Sequence, residues 1–336
     1  MSTVSVPTVR LEHRVSAFFF SPYLSHSHTS EAPDHSPLPV NLEILQDFET
    51  EVLKPAVHQV AGHGSKSSGR QGPVVDESGR RFFKPLHEGD ERADREIAFY
   101  DKIKHDDRIP AEVKAFFPAF YGTKFLPSVD GQGLVNILLT DKLYSDMQYI
   151  GYRTWYPEAT EAYIQKAKKK DKMTTSGAIG IRISGLQVYE ASTGSVWKPD
   201  RDWCRDMSAE MVQPTLERFV SSNPSLETFD AAFAAAVYGG PHGVLAKLRQ
   251  LEEWFSTQTA YHFTSSSVLI IYESPSTTAG DGAADDQINV SVKLVDFAHT
   301  VDSNTVDDNF LTGLKALMSI LWTILEEHVA RRSRMS

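Results

Sequence analysis

Asp296 ends the apolar, strand-like run Lys293-Leu294-Val295 and is followed by Phe297, Ala298 and His299. A carboxylate at the end of a buried strand is costly to desolvate without a partner, and a divalent cation is the most natural one. Asp296 is therefore the first candidate metal ligand. A second concentration of chemistry is cationic: Lys166, Lys168, Lys169, Lys170 and Lys172 crowd one short segment of a chain whose net charge is −10. Such local reversal of sign suits a polyanionic small molecule better than a long nucleic acid, which wants a broadly basic face. The other reading is a solvated helix whose Glu158 and Glu161 oppose its lysines.

These residues need strands and helices to position them. Val60 to Gly64 and Arg80 to Pro85 read as two strands bracketing a glycine- and serine-rich loop. A helix over Arg95 to Ile103 follows, with Ile97, Phe99, Tyr100 and Ile103 at largely helical spacing and Glu96 on another face. Phe117 to Phe125 and Leu134 to Leu139 suit strands. Then come a helix over Glu158 to Lys172, a strand across Ala178 to Tyr189, and helices near Met207 to Ser221 and Gly243 to Thr257. In the last of these Val244, Leu245, Leu248, Leu251, Trp254 and Phe255 form a core-packing stripe. Strands at Phe263 to Tyr272 and Ile288 to Val295 flank a loop over Ser274 to Asp286, and a final helix starts at Asp308 with an acidic first turn.

At 336 residues and 41% hydrophobic, the chain can bury the core of one large two-lobed domain or two smaller ones. No apolar run reaches membrane-spanning length. The single cysteine, Cys204, rules out an internal disulfide framework and suits a reducing compartment. Residues 1–40, rich in Ser, His and Pro, read as a disordered extension, residues 41–140 as an N-terminal lobe and 141–330 as a C-terminal lobe.

The segment Arg153-Thr154-Trp155-Tyr156-Pro157, the lysine-rich helix, Thr174-Thr175-Ser176-Gly177 and the later Leu294-Val295-Asp296-Phe297-Ala298-His299 together resemble the inositol polyphosphate kinases, especially the plant multikinase branch. Tyr238-Gly239-Gly240 and Asp308-Asn309-Phe310-Leu311 extend the resemblance over roughly Glu51 to Leu325. It implies an α+β, two-lobed kinase-like fold, with ATP and Mg²⁺ between the lobes and a soluble inositol polyphosphate as phosphoryl acceptor. Lys84, in Phe82-Phe83-Lys84-Pro85, is then the strand lysine on the nucleotide phosphates, Glu96 its ion-pair partner, Asp141 a hinge-side nucleotide contact and Asp296 the metal ligand. Arg153, Lys166, Lys169 and His299 fall to the substrate, although His299 reads equally well as a hydrogen-bonded histidine at a strand end. Gly62 and His63 sit where the nucleotide-covering loop lies. The resemblance also implies nucleus and cytoplasm, with no direct nucleic-acid partner, and protein partners if the chain acts as a scaffold.

One motif departs. The family carries Pro-x-x-x-Asp-x-Lys-x-Gly directly before the segment matching Arg153-Thr154-Trp155-Tyr156, whereas this chain reads Tyr144-Ser145-Asp146-Met147-Gln148-Tyr149-Ile150-Gly151. Aligned without gaps from Gly151, Tyr149 replaces the lysine and Met147 the aspartate; with one extra residue, Asp146 fits and Gln148 replaces the lysine. Loss of that cation costs orders of magnitude in rate. Two readings stay open: a few residues lost from the sequence here, or a variant with impaired chemistry. The functional alternatives are an inositol hexakisphosphate kinase, or a catalytically weak protein that binds nucleotide or inositol phosphate as a scaffold.

Overall fold

The helix expected from Arg95 begins earlier, as α1 (Glu91–His105), in the computed structural model. The structure describes residues 15–18, 53–56, 72–77, 81–86, 91–127, 134–140, 147–150, 160–190, 195–220, 231–273 and 288–335. Glu91 and Asp94 in the first turn of α1 and Lys102, Lys104 and His105 in the last complement the helix dipole. Its buried residues are Glu96, Phe99, Tyr100 and Ile103, an i, i+3, i+4, i+7 row. Glu96 thus lies on the core-facing stripe and not on another face as its spacing suggested. A buried carboxylate among aromatics requires partners, and they come from far away in the chain.

Strands β2 (Leu53–Pro55), β3 (Val74–Asp76), β4 (Phe82–Leu86), β5 (Phe120–Pro127) and β6 (Leu134–Thr140) form an antiparallel sheet in the order β2-β3-β4-β6-β5. Lys84 sits mid-strand, opposite Leu138. The short helix α2 (Ala111–Lys114) joins α1 to β5, so the run expected to be a strand from Phe117 becomes one only at Phe120. The strand expected over Val60 to Gly64 lies outside the described residues.

The second sheet is built around β12 (Ser267–Glu273). Along one edge it pairs with β13 (Val290–Val295). Its other edge is shared end to end by β7 (Met147–Ile150) and β1 (Val15–Phe18). These pair in turn with β8 (Ile181–Ile183) and β9 (Leu186–Glu190), and β10 (Ser195–Trp197) lies beyond β9. Val15–Phe18, within the stretch read as a disordered extension, pairs as a strand with both β9 and β12. The strand expected across Ala178 to Tyr189 splits into the helix α4 (Thr175–Ile179), β8 and β9.

Helices α3 (Glu161–Lys172), α5 (Arg201–Arg205), α6 (Ala209–Phe219), α7 (Ala231–Tyr238), α8 (Val244–Phe255) and α9 (Asp308–Met335) complete the described C-terminal lobe, with α9 packed on α6, α7, α8, β7 and β8. The α8 stripe is buried as its spacing predicts, through Val244, Leu248, Leu251, Trp254 and Phe255. A two-stranded ribbon of β11 (Tyr261–Phe263) and β14 (Thr300–Asp302) flanks the exit of β13.

Candidate active site

Lys84 Nζ donates to Glu96 Oε2 at 2.7 Å and to Asp296 Oδ1 at 3.0 Å. One ammonium from β4 therefore joins a carboxylate of α1, 12 positions from Lys84, to a carboxylate 212 positions from it. The three differ in access: the Glu96 side chain is 5% exposed, Asp296 22% and Lys84 37%. Glu96 is the buried anchor, while Lys84 and Asp296 open towards solvent. Burial pulls the Lys84 ammonium down, but Glu96 and Asp296 together outweigh it and hold its pKa above the usual lysine value. Burial pushes the Glu96 carboxyl up, with Lys84 opposing and Asp296 adding to the rise. Two carboxylates around one ammonium leave an excess negative charge facing the opening, which attracts a cation.

Packing fixes the gap that Lys84 spans. Phe297, fully buried, lies 4.7 Å centroid to centroid from Phe99 and 5.3 Å from both Tyr100 and Phe117. Phe99 and Tyr100 share the α1 stripe with Glu96, and Phe297 adjoins Asp296, so the aromatic cluster sets the distance between the two carboxylates. Each such ring pair contributes about 0.5–1.5 kcal/mol beyond its area. The lobes are also stitched by main chain: Leu294 N–H donates to Phe116 C=O at 2.7 Å, Lys293 Nζ to Ala115 C=O at 2.8 Å and Arg95 Nε to Ala298 C=O at 3.2 Å.

Asp296 has φ +64°, the left-handed region that Asp tolerates better than most residues. The Asp296 C=O accepts from Ser266 Oγ at 2.9 Å, and the Phe297 backbone amide beside Glu96 adds a small opposition to the rise of its carboxyl. His299 lies half-buried in the same turn between β13 and β14.

Sheet register sorts the residues of the divergent motif. On one rung Gln148 stands opposite Val268 and Ile183, and Val268 opposite Leu294; these three partners are fully buried core residues. On the next rung Tyr149 stands opposite Ser267 and Arg182, and Ser267 opposite Val295, the residue before Asp296. Lys293, which reaches Ala115, shares the Val295 face of β13. By register, position 149 therefore shares its face of the sheet with Ser267, Arg182, Val295 and Lys293, and position 148 shares the opposite face with Val268, Ile183 and Leu294. Arg182, 3% exposed on the Tyr149 face, escaped the sequence reading; its signal was a charge between two isoleucines in Ile181-Arg182-Ile183. Ser267 Oγ is also buried there and bonds no described residue.

The lysine helix is α3. Lys168, Lys169 and Lys172 are exposed and make no ion pair among the described residues, while Glu161 accepts from Gln165 Nε2 at 2.6 Å. A tight corner carries α3 into α4 and so into β8: a Cβ at Gly177 would lie 2.5 Å from the Asp171 carbonyl oxygen, so only glycine fits. Lys166 lies in α3 and Gln148 in β7. Asp141, Asp146, Arg153, Gly62 and His63 lie outside the described residues.

Among the described residues no cluster of three or more His, Cys, Asp or Glu forms a metal cage. One partly exposed carboxylate with excess negative charge beside it fits a hard cation that brings its own oxygens, as a cation on nucleotide phosphates does. It does not fit a caged structural metal.

Residues 149–322 match the family described as inositol polyphosphate kinase. The chain is 44% identical over 282 residues to inositol polyphosphate multikinase alpha of Arabidopsis thaliana, covering 82% of this chain and 96% of that protein. It is 42% identical to the multikinase of Oryza sativa subsp. japonica, covering 84% and 97%. Inositol hexakisphosphate kinase 3 of Mus musculus is 32% identical but aligns over 53% of this chain and 46% of its own. A solved structure from structural studies and protein engineering of inositol phosphate multikinase superposes with TM-score 0.56 at 38% identity, covering 68% of this chain and 99% of that one. The S. cerevisiae multikinase structure in complex with ADP and Mn²⁺ shares the fold, with TM-score 0.52 at 18% identity. The two-lobed α+β fold, the Lys84–Glu96–Asp296 cluster and these likenesses agree, and the chain belongs to the inositol polyphosphate kinase family.

Proposed function

We propose that this chain is an ATP-dependent kinase of the multikinase type, transferring the γ-phosphoryl group to hydroxyls of a soluble inositol polyphosphate. The observation that carries the reading is the single ammonium of Lys84 held between Glu96 and Asp296 at the lobe junction. Phosphoryl transfer asks the protein for positioning and charge neutralisation, and this cluster supplies both. An ammonium has three N–H donors, so with two on carboxylates it keeps capacity for a phosphate oxygen. Asp296, and through it a cation such as Mg²⁺, would supply the counter-charge on the phosphates when nucleotide is bound. The exposed α3 lysines Lys168, Lys169 and Lys172 are cations on offer to the acceptor's phosphates. Near-full-length similarity to plant multikinases, against half-length similarity to a hexakisphosphate kinase, supports the multikinase branch.

A second reading has one observation in its favour. No lysine stands at position 148 or 149, so the chain could bind nucleotide and inositol phosphate with little turnover, acting through protein partners. The compartment belongs to the same proposal: nucleus and cytoplasm. The Cys204 thiol is buried, and its pKa is pushed up to about 12 chiefly by that burial, which leaves it unreactive.

Steady-state kinetics of Lys166→Ala/Lys169→Ala tests the substrate. KM for inositol trisphosphate is expected to rise by roughly tenfold or more at low ionic strength while KM for ATP moves little, and the difference should shrink with added salt. Equal changes in both constants would point to general destabilisation and remove the α3 lysines from substrate capture.

A further inference from the structure

Two residues with positive φ face each other at the open end of the β12–β13 ladder. Ser265, at φ +61°, precedes β12, and Asp296, at φ +64°, follows β13. The ladder's last backbone pair is Ser267 with Val295. One step further out Ser266 and Asp296 are joined instead by a side chain, Ser266 Oγ donating to the Asp296 C=O at 2.9 Å. Ser266 is fully buried. The left-handed turn at Asp296 explains the exchange. It aims the Asp296 carbonyl at Ser266 and brings the next peptide amide, that of Phe297, beside the Glu96 carboxylate. The turn then closes through Thr300 N–H on Phe297 C=O at 3.0 Å, with Thr300 Oγ1 3.4 Å from Ser266 Oγ.

We infer that Ser266 is a positioning residue, whose hydroxyl locks the peptide between Asp296 and Phe297 and so orients both carboxylates that hold Lys84. The chemistry follows from the carbonyl. A partly buried carbonyl left without a donor costs about as much as a residue held in the left-handed region, so its loss removes the interaction that keeps the turn in place. A rotated peptide takes Phe297 N–H off Glu96 and swings the Asp296 carboxylate away from the opening. Fully buried and bonded to the Asp296 carbonyl, Ser266 acts through Asp296, as outer partners of metal-binding carboxylates do. The functional part of this inference rests on the kinase reading above, but its structural part does not.

The test compares Ser266→Thr with Ser266→Val, which carry the same extra bulk into a fully buried site and differ only in the hydroxyl. Ser266→Ala serves as the third variant. In the nucleotide- and metal-free protein, amide hydrogen exchange at Phe297 is expected to speed up by tenfold or so in the Val and Ala variants and to stay near wild type in Thr. With ATP present, the Mg²⁺ concentration giving half-maximal rate should rise roughly tenfold in Val and Ala, with recovery in Thr and KM for the inositol phosphate unchanged. Equal behaviour of Thr and Val in both measurements would overturn the inference, since packing alone would then explain the site. Unaltered Phe297 exchange in Ala would overturn it as well. A protein without any kinase activity, but with Phe297 exchange split between Thr and Val, would keep the lock and discard the kinase reading instead.

Discussion

Asp296→Asn is expected to lower kcat for phosphoryl transfer by on the order of a thousandfold or more while the protein melts as one cooperative transition close to the wild-type temperature. Asparagine matches the carboxylate in shape and is among the few residues at ease in the left-handed region, so the φ of +64° survives the change. Lys84 keeps Glu96 at 2.7 Å as its buried partner. What disappears is the charge: the cluster goes from a net negative to a neutral set, and a carboxamide is a far poorer ligand for a hard cation. Turnover by radiolabelled phosphate transfer, beside a thermal melt, separates the outcomes. Wild-type kcat in a folded Asp296→Asn protein would take Asp296 out of the mechanism.

The parts of this site that lie along one strand or one helix could be read from sequence, and the parts that depend on which strand lies beside which could not. Asp296 was legible because a carboxylate ending Leu294-Val295 conflicts with its apolar neighbours. Lys84 and Glu96 needed the resemblance as well, since a strand lysine and a helix glutamate are ordinarily surface charges. Glu96 was assigned to the wrong face of α1 because helical spacing weighs hydrophobicity, and cannot know that Lys84 and the Phe297 amide wait for a buried carboxylate. Ser266 and Arg182 depend on register: the first meets Asp296 only because β12 and β13 end together, the second comes to stand beside position 149 only because β8 pairs with β7. The helix α7 was missed for a simpler reason. Ala231-Ala232-Phe233-Ala234-Ala235-Ala236 is apolar on every side, so it has no stripe to detect.

The same register decides how the divergent motif should be repaired. The sequence left Tyr149 and Gln148 as equal candidates for the missing lysine, but by register only position 149 shares a sheet face with the polar Arg182 and Ser267 and with Val295, the residue before Asp296. Tyr149→Lys is therefore expected to raise kcat with inositol trisphosphate by on the order of a hundredfold to a thousandfold, the scale of returning one preorganised cation to a transferring phosphoryl group. Gln148→Lys should do the opposite. It sets an ammonium on a rung with Val268 and Ile183, both fully buried, where desolvation without a partner lowers stability and leaves the rate no higher. Paired measurements of kcat and melting temperature on the two variants distinguish them. A gain in Gln148→Lys with none in Tyr149→Lys would show that the functional register of β7 is shifted by one residue, because a one-residue slip exchanges the two faces of a strand. Full activity in the unmodified chain would mean that a cation already present does this work. Arg182 is then the residue to remove: Arg182→Met should abolish turnover if it stands in for the lysine, and a Met variant that still turns over would return the search to the lysines of α3.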